Sequence, residues 1–282
     1  MSPTALAPAE PAAAPVLAEG AAPAPGYEVI AHLSRSESLD VYDAWSVQRD
    51  CRVVVKLARP DRDEERVQQR LRNEGQLLLA LTHPHIVRAY ELLEPGEGDP
   101  RGLVLILETL EGQTLSKMVE TAQRRLSVPD LVELGLQLCS AIAYLHSHGQ
   151  LHLDLKPSNV IAHAGKATVI DLSLAQPPGP ARRGAGTSAY LAPEQASGSS
   201  VGPATDSWGI GATLYEAATG AAPFPQARVG AYPQLREPAP SPALARRAPR
   251  AFTDLLERCL ARQPASRPAI AEIADELEDL LT

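Results

Sequence analysis

The hydrophobic pattern of this chain shifts near Gly112 from mainly strand-like to mainly helical, and no other feature limits the possible folds as much. Before that point the apolar residues come in short runs of strand length: Tyr27–His32, Leu39–Ser46, Arg52–Ala58, Ile86–Leu93 and Leu103–Leu107. One stretch from about Glu64 to Leu81 interrupts them, with Val67, Leu71, Leu78 and Leu81 near helical spacing. The spacing predicts a small sheet carrying one helix. After Gly112 a helical stripe begins with Leu131, Leu134, Leu138, Ile142 and Leu145, and Gly149 stands at its C-terminal cap position. Further helices are expected at about 206–219, with Asp206 capping the start and Gly220 ending it, at about 251–262 and at about 269–281. Seven prolines between Pro223 and Pro249 predict a long irregular connection. No internal repeat is visible, and the class is α+β with its two parts segregated along the chain.

Composition narrows the function. With 44% hydrophobic residues in 282, the chain can bury a substantial core. A net charge of −8, with Lys and Arg scattered, gives no basic footprint for nucleic acid. Cys51, Cys139 and Cys259 lie far apart and cannot all pair, which suits core or half-buried thiols in a reducing cytoplasm. No run reaches the roughly 20 apolar residues of a membrane span. Residues 1–26, mostly Ala and Pro, lack the basic start of a secretion signal and are expected to form a disordered tail.

The densest polar cluster is His152-Leu-Asp154-Leu-Lys156-Pro-Ser-Asn159, followed after a short apolar run by Asp171. Pro157 argues against a helix interior, so the cluster reads as a loop entering a hairpin, Val160–His163 and Ala167–Ile170, turned at Ala164-Gly165. That hairpin brings Asn159 and Asp171 to one end. An amide oxygen and a carboxylate are hard ligands suited to Mg²⁺, which binds few protein groups. Asp154 would then orient and deprotonate a hydroxyl, and Lys156 would supply fixed positive charge beside a transferring group. Taken singly, Asp154 or Asp171 could be a cap or turn residue. His83-Pro-His85 and His146-Ser-His148 are H-x-H pairs, but neither has a nearby third ligand at zinc spacing. His152 reads as a structural hydrogen-bonding residue.

Together these motifs resemble the protein kinase superfamily, in particular the bacterial eukaryotic-like (Hanks-type) Ser/Thr kinases, over about residues 27–282. Val53-Val-Val-Lys56 looks like the third-strand lysine motif, which implies that Lys56 holds ATP phosphates and pairs with Glu74. Val41 and Ile161 would contact the nucleotide, and Glu108 to Leu110 resembles the adenine-binding hinge. Asp154 would be the catalytic base, with Lys156 and Asn159 beside it, and Asn159 and Asp171 would hold Mg²⁺ or Mn²⁺. Ala192-Pro193-Glu194 resembles the end of an activation segment, Asp206 to Gly211 the start of a buried helix, and Arg267 the family partner of Glu194. Lys156 with Gly186-Thr187 is similar to the Ser/Thr branch. The resemblance implies a bilobal fold: a β-rich N-lobe with one helix at 27–107, a hinge at 108–112 and a mainly helical C-lobe at 113–282. It also implies ATP-dependent phosphorylation of a protein Ser or Thr hydroxyl.

Several positions depart from that pattern. The nucleotide-covering loop has Ser34, Ser36 and Leu39 where the family has glycines, ahead of Val41, and any position needing positive φ would cost about 1–2 kcal/mol. Val54 stands in place of the usual alanine above the adenine. Leu153 replaces the arginine whose charge a phosphorylated activation loop neutralises, and residues 174–185 contain no Ser, Thr or Tyr. Asp171-Leu172-Ser173 stands for Asp-Phe-Gly, which predicts a less mobile metal loop. Arg182 and Arg183 could favour an acidic partner or be a solvated pair. These departures keep open a pseudokinase or regulatory binding module. A small-molecule phosphotransferase is disfavoured by Thr187 and the Ala192-Pro193-Glu194 motif.

Overall fold

The computed structural model describes residues 14–62, 65–94, 102–121, 126–226, 228, 230–245 and 247–281. They form two compact units, one built from residues up to Gly75 and from Ala89–Thr109, the other from Gln76–Arg88 and from Leu110 onward.

The first unit is a five-stranded antiparallel sheet in the order β1-β2-β3-β5-β4, with β1 at Tyr27–Arg35, β2 at Leu39–Ser46, β3 at Cys51–Ala58, β4 at Ala89–Leu93 and β5 at Val104–Glu108. Helix α1, Glu65–Ala80, leaves β3 and begins in this unit. Alternation along β3 sends Val53, Val55 and Leu57 into one cluster with Val29, Tyr42, Ala44 and Ile106. Lys56, two residues from either neighbour on its own side, falls on the other face, paired in register with Val41 and Leu105. There Gly75 of α1 lies against Leu92 and Leu105.

Residues 14–26 differ from the expected tail. Leu17 and Ala24 join the apolar cluster, and Gly20 N donates to Val29 O at 2.9 Å while Val29 N donates to Ala21 O at 2.8 Å. Leu17 N donates to Tyr42 Oη at 3.0 Å, and Arg35 Nη1 donates to Ala14 O at 2.8 Å. The segment has no core of its own to signal order; the sheet supplies the partners. Residues 1–13 of the expected tail, and Glu64 at the expected helix start, lie outside the described residues.

The second unit opens with β6, Gln113–Thr114, and α2, Leu115–Thr121, and then α3, Val128–Ser147. A capping box starts α3: Asp130 N donates to Ser127 Oγ at 3.2 Å and Ser127 N donates to Asp130 Oδ2 at 3.1 Å. By length and mean hydropathy (1.3) α3 reaches the range of a membrane span, beyond what single apolar runs suggest, yet its stripe from Leu131 to Leu145 is core. Next come β7, Val160–His163, and β8, Lys166–Val169, which with β6 make a three-stranded sheet. β9, Gly179–Pro180, pairs with β10, Ser200–Val201, around α4, Pro193–Ser197. The unit closes with α5, Pro203–Thr219, α6, Arg250–Cys259, and α7, Ile270–Glu278. The proline-rich connection before α6 is irregular as expected, with short 3-10 turns at Pro233–Leu235 and Pro242–Leu244.

Helix α5 is buried on every side from Thr205 to Thr219, the mark of a helix inside a core rather than on it. Gly209 permits a close approach to the polar loop, since a Cβ there would sit 3.1 Å from Leu155 Cβ. Asp206 does not cap α5, which begins after Gly202. Its carboxylate accepts instead from His152 N at 2.8 Å, Leu153 N at 2.9 Å and His146 Nε2 at 2.8 Å. Asp206 is the fourth residue of the helix, past the cap position, so its carboxylate is available to the loop.

A second buried anchor joins Glu194 and Arg267, bidentate at 2.7 and 2.8 Å, with Thr205 Oγ1 donating to Glu194 Oε1 at 2.8 Å. Arg267 also lies 5.1 Å from the Trp208 ring centre, and Trp208 stacks on Phe224. Burial pushes the Glu194 carboxyl up, but the Arg267 guanidinium more than offsets it and holds the group below the usual carboxylate range.

Arg267→Met strands a buried carboxylate and should cost about 3–5 kcal/mol in denaturant unfolding near neutral pH. Because folding depresses the Glu194 pKa, the wild-type contribution is complete above the ordinary carboxylate range and lost as pH falls through the lower folded value, so the gap between variant and wild type should narrow in acid. Asp206→Ala removes charge-assisted bonds to two backbone N–H groups and should cost about 3 kcal/mol or more by the same measurement.

Candidate phosphotransfer site

Asn159 and Asp171 flank the β7–β8 hairpin, whose turn residues Ala164 and Gly165 both have positive φ, 47° and 79°. Ile170 N donates to Asn159 O at 3.0 Å, so the strand ends stay together. Asn159 Nδ2 donates to Asp154 O at 2.9 Å, which fixes the amide and leaves Oδ1 as the atom suited to a cation. Asp171 Oδ1 accepts from Ser173 N at 2.9 Å, an Asx turn that stiffens the segment after it. Leu172 is buried. A hard amide oxygen and a carboxylate at one hairpin end fit an oxygen-ligated divalent cation.

The Asp154 carboxylate is held from both sides. Lys156 Nζ donates to Oδ2 at 2.6 Å and Thr187 N donates to Oδ1 at 3.0 Å; Lys156 Nζ also donates to Thr187 Oγ1. Gly186, at φ 122°, makes this possible, because a Cβ there would meet Leu191 Cδ2 at 2.8 Å and Asp154 Oδ1 at 3.4 Å. The loop's own backbone is strained at Leu153, whose φ is 66°. Leu153 is fixed by Asp206 on its N–H and by Gln195 Nε2, which donates to its carbonyl at 2.7 Å. Its side chain packs with Leu151 and Val201, and Leu174 and Ala181 of the following segment lie against them. Backbone pairing between Leu151 and Gln176, at 2.8 and 3.2 Å, continues that docking.

In the first unit, Lys56 Nζ donates to Glu74 Oε1 at 2.7 Å, both side chains being buried. Val41 pairs with Lys56 across the strands, and Glu108 ends β5 opposite Val53; Leu110 belongs to the second unit, which also carries Ile161 in β7 opposite Thr168. The β1–β2 loop departs from the strain expected of its missing glycines, since no residue from 34 to 41 has positive φ. Instead Ser36 Oγ accepts from Ser38 N at 3.3 Å and Leu39 N at 2.9 Å, and Arg59 holds the loop through Ser36 O and Ser38 O.

The histidines have other roles. His85 Nδ1 donates to Ala167 O, His148 Nδ1 to Tyr144 O, and His83 lies within 3.3 Å of Ser140 Oγ. Asp154 N donates to His152 Nδ1 at 3.2 Å, and burial pushes the His152 pKa down, so the ring is neutral and structural. Burial likewise pushes the Cys139 thiol up to about 12 and raises Cys259 further, which leaves both unreactive. Four site-supporting residues escaped the sequence reading: Tyr190, Gln195, Glu216 and Gln234. Only Gln195 had a local signal, a capping-box position three residues into a helix opened by Pro193, and Ala192 N does donate to its Oε1 at 3.1 Å.

The protein kinase domain family model matches residues 27–277. The chain is 31% identical over 234 residues to the "probable serine/threonine-protein kinase SCO3848" of Streptomyces coelicolor, covering 77% of this chain and 34% of that protein. It is 30% identical over 266 residues to serine/threonine-protein kinase pkn3 of Myxococcus xanthus, covering 87% of this chain and 48% of that one. With serine/threonine-protein kinase PrkC of Bacillus subtilis it shares 32% identity over 206 residues, 70% of this chain and 31% of the relative. The chain thus spans about half or less of the length of these curated relatives. The kinase domain of Mycobacterium tuberculosis PknI superposes with a TM-score of 0.73 at 24% identity, over 94% of this chain and 99% of that domain, and so shares the fold. A two-unit kinase fold and a family match over nearly the whole chain lead to one conclusion: this chain belongs to the protein kinase family, as a homologue of bacterial Ser/Thr protein kinases.

Proposed function

We propose that this domain transfers the γ-phosphoryl group of ATP to a Ser or Thr hydroxyl of a protein, with Asp154 as base. The observation that carries this reading is the Asp154 carboxylate, aimed by Lys156 Nζ at 2.6 Å and by the Thr187 N–H at 3.0 Å. Oδ2 also faces Asn159 Nδ2 at 3.4 Å, whereas Oδ1 accepts from Thr187 N, so the carboxylate keeps its orientation while Oδ1 retains a lone pair able to accept a proton. Lys156 bridges the base and Thr187, so its charge stays where negative charge on the transferring group would build. Lys56, paired with Glu74, would hold nucleotide phosphates, Val41 and Ile161 would line the base, and Glu108 to Leu110 would contact the adenine edge. Asn159 and Asp171 would hold Mg²⁺ or Mn²⁺, which when bound neutralises phosphate charge. The family implies ATP and a divalent cation; the residue roles are our reading.

The activation segment needs no phosphate in this reading. Leu153 meets Leu174 and Ala181 through apolar contact where an arginine would need an anion, and the β9–β10 pair holds the middle of the segment. A second reading, a nucleotide-binding module with weak or no transfer, is favoured by the β1–β2 loop. There the Ser36 hydroxyl occupies the N–H groups of Ser38 and Leu39 that a phosphate-covering loop would offer to its ligand.

Purified protein and Asp154→Asn, incubated with labelled ATP, Mg²⁺ or Mn²⁺ and protein acceptors, separate the two. Loss of transfer by about 10²–10⁴-fold, with ATP binding retained, is expected of a missing base. Equal transfer by both proteins, or none by either despite ATP binding, overturns the kinase reading. Ser36→Gly should free the two amides and tighten ATP binding by about 3- to 10-fold in calorimetry. Unchanged affinity would mean that the closed loop is not what limits binding.

A further inference from the structure

Gln234 is fully buried, although it sits in the 3-10 turn of the irregular proline-rich connection. Its Nε2 donates to Ser188 O at 3.0 Å and to Leu191 O at 3.1 Å. The orientation of this amide is dictated by chemistry: flipped, its oxygen would face two carbonyl oxygens. Gln234 Oε1 has no hydrogen-bond partner among the described residues, so the polar engagement of this side chain is with that segment alone. The same segment is held at its other carbonyls. Tyr190 N donates to Thr187 O at 2.9 Å, Trp208 Nε1 donates to Tyr190 O at 3.0 Å, and Tyr190 Oη donates to Glu216 Oε2. Tyr232, two residues before Gln234, packs with Leu191 and Ala196 and puts its hydroxyl against Gly184, where a side chain would have no room.

One turn of the connection therefore grips both ends of residues 184–191, the stretch that delivers Thr187 to Asp154 and Lys156. We propose that Gln234 is a positioning residue for the acceptor side of phosphoryl transfer: its two N–H groups fix residues 187–191 in the shape that keeps Thr187 on the base. This rests on the phosphotransfer reading above. Gln alone has the required reach and donors. Asn is short by about 1.5 Å, and Glu presents only acceptors to two carbonyls.

Gln234→Met keeps length and packing while removing both donors, and Gln234→Glu reverses the polarity. In the full chain, residue-resolved amide hydrogen exchange should accelerate by about ten-fold or more at 187–191 in Gln234→Met, with α3 amides unchanged. The kcat for a protein acceptor should fall by about 10- to 100-fold while the KM for ATP moves less than about two-fold, and Gln234→Glu should fall further. If Gln234→Met does not fold, Gln234→Asn, too short to reach either carbonyl, should show the same pattern. Unchanged exchange at 187–191, acceleration spread equally over α3, or a kcat that stays level while the segment loosens would each overturn the proposal. Absence of transfer by the wild-type chain would instead overturn the phosphotransfer reading and the catalytic half of this one, and exchange alone would then decide whether Gln234 clamps the segment.

Discussion

One buried carboxylate underlies the catalytic-loop geometry. Leu153 adopts a left-handed backbone that an L-residue with a branched side chain avoids by about 1–2 kcal/mol, and the local bond from Asp154 N to His152 Nδ1, at 3.2 Å, does little to stabilise it. Asp206 does so from α5, accepting the N–H groups of His152 and Leu153 while His146 saturates the remaining capacity of one oxygen. Because α5 is enclosed on all sides from Thr205 onward, the carboxylate is as fixed as the core itself. The turn it stabilises swings the next residue, Asp154, into the grip of Lys156 and Thr187.

From that point the second unit is organised as a series of buried polar contacts between irregular segments and rigid helices. Glu194 and Arg267 tie the end of the activation segment to the loop before α7, and Gln195 reaches back to Leu153 O and Ala185 O. Loops of this length carry many unsatisfied backbone groups, which helices and side-chain amides satisfy here one by one. The apolar contacts of Leu153 add to this without introducing a charge that would need neutralising. The segment is therefore ordered by burial and hydrogen bonding, in keeping with its lack of any hydroxyl side chain from 174 to 185.

Much of the fold was legible. A short run of strand length gave β2 to the residue, the stripe from Leu131 to Leu145 gave α3, and the turn at Ala164-Gly165 gave the hairpin that pairs Asn159 with Asp171. Where local reading failed, the interaction that decided the matter was nonlocal. Residues 14–26 look like a tail by composition, yet a sheet face with open partners recruits them. Asp206 looks like a helix cap by position, yet its partners lie more than fifty residues earlier. The β1–β2 loop looks strained by its missing glycines, yet a serine hydroxyl and Arg59 give it a turn that ordinary residues adopt.

The sequence by itself determined the division into a sheet-bearing and a helical part, the family, and the chemical groups in order: Lys56, Glu74, Asp154, Lys156, Asn159 and Asp171. These follow from periodicity and from ordered residue types, both of which are properties of the linear chain. Only the tertiary structure decided how those groups are held, because the holding residues, Asp206, Gln195 and Gln234, act through hydrogen bonds to distant backbone atoms. A carbonyl or an N–H is the same at every position of a sequence, so nothing in the chain marks which one a distant carboxylate or amide will reach.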